Sequence, residues 1–70
     1  MSNWKIERDE YGDEIHVLDF GNGSRAELSL DHQDRWTWHN YSPLGYGWVN
    51  TFNSLKTAKK AVELYELCGG

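Results

Sequence analysis

The sequence predicts an α+β fold, a small antiparallel β-meander of four to five strands with one C-terminal α-helix packed on one face. Two observations carry this prediction. Apolar residues recur with a period of two up to about residue 53, and then with the three- and four-residue spacing of a helix. Asn22-Gly23 is a strong hairpin signal, because both residue types tolerate positive φ. The 70 residues show no linker or repeat, which predicts one domain spanning residues 1–70.

Each element has its own local signal. Alternating or β-rich runs bounded by turn residues predict five strands, at residues 4–7, 14–20, 24–30, 35–41 and 46–52. The helix is expected over about residues 55–67, with Asn53 or Ser54 as its cap and Gly69-Gly70 beyond its end. Its core-facing stripe is expected to consist of Leu55, Ala58, Ala61, Val62 and Tyr65.

A two-residue loop at Asn22-Gly23 fixes a register for the strands on either side of it. With a three-residue loop at residues 32–34, the pairing continues into the fourth strand. The expected facing pairs are Val17 with Leu28, Ile15 with Leu30, Leu30 with Trp36, and Leu28 with Trp38. This register makes Trp36 and Trp38 core residues, which suits a small domain that needs large buried side chains.

The same register leaves a second sheet face that a single helix cannot cover. It is expected to carry His16, Leu18, Phe20, Arg25, Glu27, Ser29, Arg35, Thr37, His39 and Tyr41. Arg25 would stack between the rings of Phe20 and Tyr41. Such a face is either a working surface or a set of scattered surface hydrophobics, and both interpretations stay open. The candidate partner-binding residues are this face and the adjoining loop: Leu18, Phe20, Arg25, Glu27, Arg35, His39, Tyr41, Leu44 and Tyr46.

No pattern in the chain favours catalysis, so we expect a protein that is not an enzyme and needs no cofactor or metal. His32 and His39 lack the tight paired spacing typical of zinc ligands. Cys68 lies at the chain end with no neighbouring base, and a single cysteine excludes an internal disulfide. The glycine-rich stretches open no helix that would cradle a phosphate.

The charge is divided unevenly between the two halves of the chain. Residues 1–34 hold nine acidic and three basic side chains, a net charge of −6. Residues 35–70 hold two acidic and four basic side chains, a net charge of +2. An acidic half is either a solubilising surface or a surface that steers a basic partner, including by mimicry of a nucleic acid. The absence of a long apolar run and the lone cysteine lead us to expect a cytoplasmic protein with no membrane contact.

The stretch GWVNTFNSLKTAKKAVELY, residues 47–65, resembles the last strand and helix of plant AP2-type and phage-integrase arm-binding domains. Trp48, Phe52, Ala58 and Ala61 match the general pattern of that family, over about a quarter of the chain. The resemblance implies a sheet packed on one helix, with DNA read from the sheet face. The expected face departs from that pattern, because it offers Arg25 and Arg35 beside Glu27 in place of several arginines.

Two function classes follow. The first is a small non-enzymatic protein-binding module, such as a phage or mobile-element accessory protein that inhibits a host nuclease or defence complex. The alternative is a nucleic-acid-binding domain that uses the exposed sheet face or stacks a single strand on aromatic rings. A homodimer is compatible with either class.

Overall fold

The computed structural model describes residues 4–21 and 23–68 and confirms the predicted fold class. Five strands and one helix follow one another along the chain. They are β1 (Trp4–Arg8), β2 (Glu14–Asp19), β3 (Arg25–Leu30), β4 (Trp36–Ser42), β5 (Gly45–Phe52) and α1 (Leu55–Leu67). The strands form one antiparallel sheet in the order β1-β2-β3-β4-β5, so sequence neighbours are also neighbours in space. No helix in the described part of the chain is long and apolar enough to cross a membrane.

The register between β3 and β4 is the predicted one. Leu28 faces Trp38, and Leu30 faces Trp36. Trp38 is 6% exposed and belongs to the core, while Trp36 packs against that core and is partly buried. The prediction that both tryptophans point to the helix side of the sheet is confirmed.

The predicted register between β2 and β3 is wrong by one residue. Leu18 faces Ala26 and Asp19 faces Arg25, and the Phe20 amide donates to the Ser24 carbonyl oxygen over 3.0 Å. The loop between Phe20 and Ser24 therefore contains three residues, 21 to 23, of which Asn22 lies outside the described residues. Gly21 and Gly23 both adopt positive φ, which glycine tolerates without a Cβ clash.

A one-residue shift exchanges the two faces of β2. His16 and Leu18 now point to the helix side, and Phe20 packs there against the core. Ile15 and Val17 point to the other side, contrary to prediction. The exchange buries Leu18 to 1% exposure beneath the helix, so the larger side chains of this strand enter the core.

The helix lies across β3, β4 and β5 and completes the core. Ala58 and Val62 are fully buried, with the predicted stripe residues Leu55 and Ala61 packed beside them. Tyr65 meets Trp38 and Phe20 edge-on, with ring centroids 5.5 and 5.7 Å apart.

Two polar contacts fix the position of the helix. Ser54 caps its first turn, because its Oγ accepts from the Thr57 amide over 3.2 Å. The Trp4 indole Nε1 donates to Glu63 over 2.8 Å, which ties the first strand to the helix. The predicted Gly69-Gly70 ending lies outside the described residues.

Candidate functional site

The sheet has a helix-covered face and an open face, and the register decides which residues stand on each. Residues directly opposite each other in an antiparallel ladder share a face. On the open face, one row across β3, β4 and β5 is Arg25, Tyr41 and Tyr46, and the next row is Glu27, His39 and Trp48. Six neighbouring side chains thus form one surface, which no other described element covers.

Four rings on this surface form a contiguous group, the open-face aromatic cluster, consisting of His39, Tyr41, Tyr46 and Trp48. A hydrogen bond of 2.6 Å joins His39 Nδ1 and the Tyr46 hydroxyl, and the two rings stack with centroids 5.5 Å apart. The Tyr41 and Tyr46 rings are 5.0 Å apart. Trp48 faces His39 across the ladder and is 60% exposed. Because the His39, Tyr41 and Tyr46 rings contact one another, a ligand would meet side chains whose positions are already ordered.

Arg25 and Glu27 supply the charges at the edge of the cluster. The Arg25 guanidinium is 2.9 Å from the Glu27 carboxylate and 5.3 Å from the centroid of the Tyr41 ring. Burial raises the pKa of the Tyr41 phenol above its usual range, and Glu27 and Tyr46 raise it further. Tyr41 is therefore a neutral hydroxyl near neutral pH, able both to donate and to accept a hydrogen bond.

The structure brings together five of the nine predicted site residues: Arg25, Glu27, His39, Tyr41 and Tyr46. The sequence pattern alone does not decide whether Trp48 belongs to the core or to the surface. Its position depends on a β-bulge between β4 and β5, where Trp38 faces Asn50 but the next residue, His39, faces Trp48. The sequence around a β-bulge of this kind gives little indication that it is there. The position of β5 as the last strand of the expected sheet would, however, have favoured an exposed Trp48.

The predicted placement on the open face is wrong for two of the site residues. Leu18 is buried beneath the helix, and Phe20 is partly buried against the core and the Tyr65 ring. Both were assigned to the open face by the two-residue loop, and the three-residue loop turns them to the opposite side. The expected stack of Arg25 between two rings is therefore reduced to its contact with Tyr41.

Two further predicted residues lie away from the cluster. Leu44, at the tip of the β4–β5 turn, is fully exposed. Arg35 precedes β4, and its Nε lies 3.4 Å from the Asp31 carboxylate. Asp31 Oδ1 also accepts from the amides of Gln33 and Arg35 over 2.8 and 2.9 Å. The hydrogen bond from the Arg35 amide is the main reason that the pKa of Asp31 is lowered. Arg35 thus stabilises a turn.

His16 is a buried histidine that the sequence analysis placed on the wrong face. It is 5% exposed, and neither ring nitrogen has a hydrogen-bond partner. Its ring meets Trp36 edge-on at 5.4 Å, and Nε2 lies 3.5 Å from a Glu14 oxygen. Burial is the main cause that lowers its pKa, and Lys59 lowers it further, against the opposing effect of Glu14. His16 is therefore a neutral core residue near neutral pH.

Within residues 4–21 and 23–68, no group of three or more His, Cys, Asp or Glu side chains could hold a metal ion. Cys68 is exposed and unpaired with another cysteine. Comparisons of the chain with protein-family models, curated proteins and solved structures return no match. The function is therefore argued from the chemistry of the open face itself.

Proposed function

We propose that the chain is a non-enzymatic protein-binding module whose working surface is the open-face aromatic cluster together with Arg25 and Glu27. One observation carries the proposal. Among the described residues, no element covers the face of the sheet opposite the helix, and on β4 and β5 that face presents neighbouring rings, of which His39, Tyr41 and Tyr46 are in contact.

The residue types on this face are those that carry binding energy in protein interfaces. Tyrosine, tryptophan and arginine are enriched at interface centres, where they fill pockets on the partner. Tyr46 and Trp48 are both more than half exposed, so they offer apolar area together with a hydroxyl and an indole N–H. The contacts among His39, Tyr41 and Tyr46 reduce the entropy lost on binding.

The charge distribution favours a partner with a basic surface. Glu27 shares the open face with Asp19 on β2 and Glu7 on β1, and the β1–β2 turn adds Asp9 and Asp13. These carboxylates raise the encounter rate with a positively charged protein. An inhibitor of a nuclease or of a defence complex, of the kind encoded by phages and mobile elements, is the class of module that fits this chemistry.

Binding of single-stranded nucleic acid is the second candidate, because exposed rings beside an arginine can stack bases. Arg25 is however already paired with Glu27 at 2.9 Å, and acidic side chains occupy the neighbouring strands. A phosphate backbone crossing this face would meet more negative than positive charge. The geometry therefore supports a protein partner better.

The proposal is tested with Tyr41→Ser and Trp48→Ser combined in one chain. We expect the double variant to fold like the parent and to lose capture of its partner from a lysate of the source cells. The control is Leu64→Ser with Leu67→Ser, which removes two exposed apolar side chains from the helix instead. The captured protein is then purified and titrated against both variants.

Equal capture by the parent and the open-face double variant would refute the proposal. Binding of single-stranded oligonucleotides that weakens steeply with salt and disappears in the open-face variant would support the second candidate. Loss of binding in the helix control alone would move the working surface to the exposed end of α1.

A further inference from the structure

The outer edge of β5 differs from the other edge of the sheet. β5 has eight residues, and none of them is charged. β1 at the opposite edge is shorter and carries Lys5, Glu7 and Arg8. Charged side chains and short length are the usual means by which an edge strand avoids pairing with another chain. β1 has this protection, whereas the uncharged β5 edge lacks it.

Large apolar side chains lie along this unprotected edge. Tyr46, Trp48 and Val49 are 56%, 60% and 42% exposed, and Leu44 at the preceding turn is fully exposed. A strand that offers both unpaired backbone groups and apolar side chains favours addition of another strand.

Two features limit the part of β5 that is free to pair. The β-bulge falls where β5 passes from Trp48 to Asn50, and bulges twist an edge away from a partner. Just beyond it, the Thr51 amide donates to Asn50 Oδ1 over 2.8 Å, so one donor near the end of the strand is already occupied. The segment left free to pair is therefore Gly45–Val49, which ends at the bulge residue Val49 and has Gly47 as its midpoint.

The helix side of this segment has a hollow. Gly45 and Gly47 have no side chains, and a shallow depression of about 350 Å³ lies beside them, lined also by Asn40, Ser42, Leu44, Tyr46 and Val49. A Cβ built on Gly47 would meet no atom within 4 Å. A strand added here thus finds room for an apolar side chain opposite the glycines.

We propose that β5 pairs antiparallel with β5 of a second copy of this chain, about a two-fold axis at Gly47. In this register Gly47 faces its own copy, and Tyr46 faces the partner's Trp48 on the open face. Gly45 faces the partner's Val49, which fills the glycine hollow. The segment is self-complementary, because Trp48 meets the partner's Tyr46 on the open face and Val49 meets the partner's Gly45 on the helix side.

The charges and areas are compatible with a reversible dimer. Each chain carries a net charge of −4, but its acidic excess lies in residues 1–34, whereas β5 carries no charged side chain. The exposed parts of Tyr46, Trp48 and Val49 with their backbone give roughly 500 Å² per copy, the lower end for a specific interface. We therefore expect association that depends on concentration.

The dimer is independent of the proposed partner and is measured without it. Sedimentation over a wide dilution series, ending at millimolar concentration, should show the mass rise from 8.1 kDa towards twice that value. Gly47→Lys places two ammonium groups directly opposite each other at the axis. This change should weaken the dimer at least about fivefold, because facing like charges destabilise a strand pair. The monomer tolerates the change, since Gly47 has open space and no positive φ.

Charge complementation gives the sharper test. Gly47→Lys and Gly47→Glu chains should each be largely monomeric alone and should form a dimer when mixed. Ile6→Lys is the matched control, because it adds the same charge at an exposed position on the opposite edge strand and should leave the dimer intact.

Any of three results would overturn the proposal. These are a parent chain that stays monomeric at millimolar concentration, a dimer that persists in the Gly47→Lys chain, or a mixture of the two charge variants that does not associate. If Gly47→Lys fails to fold, Gly47→Cys in a Cys68→Ser background serves instead. It should form a disulfide-linked dimer faster than Ile6→Cys in the same background, and equal rates would contradict the proposed axis.

Discussion

Trp38 gives the most direct test of the core, and its replacement by alanine should remove much of the stability of the domain. The side chain is 6% exposed, faces Leu28 across the ladder and meets Tyr65 edge-on at 5.5 Å. A buried aromatic of roughly 200 Å² contributes about 5 kcal/mol at 25 cal/mol per Å², and Trp→Ala changes in cores cost about 3–5 kcal/mol. A domain of 70 residues has only about 4–10 kcal/mol in total.

Trp38→Phe separates packing from the polar part of the ring. The Trp38 Nε1 is buried with no hydrogen-bond partner, and an unsatisfied buried donor costs about 1–3 kcal/mol. Phenylalanine keeps an edge-on contact with Tyr65 and removes that donor. The smaller ring leaves a cavity that costs stability, and removal of the unsatisfied donor offsets part of that cost, so we expect this change to cost clearly less than the alanine change.

The assay is urea unfolding followed by far-ultraviolet circular dichroism, together with thermal melting. Trp38→Ala should lower the melting temperature by roughly 15–30 °C, since 1 kcal/mol corresponds to about 4–8 °C in a domain of this size. Trp48→Ala is the control and should cost under about 1 kcal/mol, because its ring is mostly exposed. An alanine variant at position 38 that melts within a few degrees of the parent would refute the packing described above.

Three further predictions follow from local chemistry. Because burial lowers the pKa of His16 in the fold, the unfolded chain binds its proton first as pH falls, so stability should fall below about pH 6.5. In His16→Leu the urea midpoint should change less between pH 7 and about pH 5, and an unchanged slope would contradict this. Ser54→Ala removes the cap on the Thr57 amide and should cost about 1 kcal/mol in urea unfolding, against no more than a few tenths for Ser54→Gly. Chelator treatment should leave the melting temperature unchanged, and a large drop restored by zinc would contradict this.

The positions of residues could be predicted from the sequence where the pattern of apolar and polar side chains allows only one buried face. Apolar and polar side chains alternate throughout β3 and in β4 up to His39, so Leu28 and Trp38 had one possible face and their pairing was predicted correctly. The buried face of the helix was predicted correctly for the same reason, since Ala58 and Val62 lie on a single apolar stripe. Each of these three elements presents one apolar face, and in the two strands burial of that face fixes the register.

β2 could not be placed in the same way, because Ile15, Val17 and Leu18 make both of its faces apolar. Its register then depended on the length of one loop, and Gly21 adds a third residue to the expected pair. That single difference moved Leu18 and Phe20 from the candidate site into the core. The two faces of β2 are similarly apolar, so the pattern alone did not decide between them. Packing beneath the helix buries the face that carries Leu18.

The corrected register concentrates the open-face cluster on two strands. With Leu18 and Phe20 removed, every ring of the cluster comes from β4 or β5, while β1, β2 and the turn between them carry six of the eleven acidic side chains, Glu7 and Asp19 among them. The sheet therefore runs from a charged edge to an uncharged, aromatic one. A charged edge discourages pairing and steers a basic protein, whereas an uncharged edge favours strand addition. Partner capture and self-association would then use adjoining parts of one surface. The Gly47→Lys change weakens self-association while leaving every ring of the cluster in place, so it can show whether the two activities compete or act together.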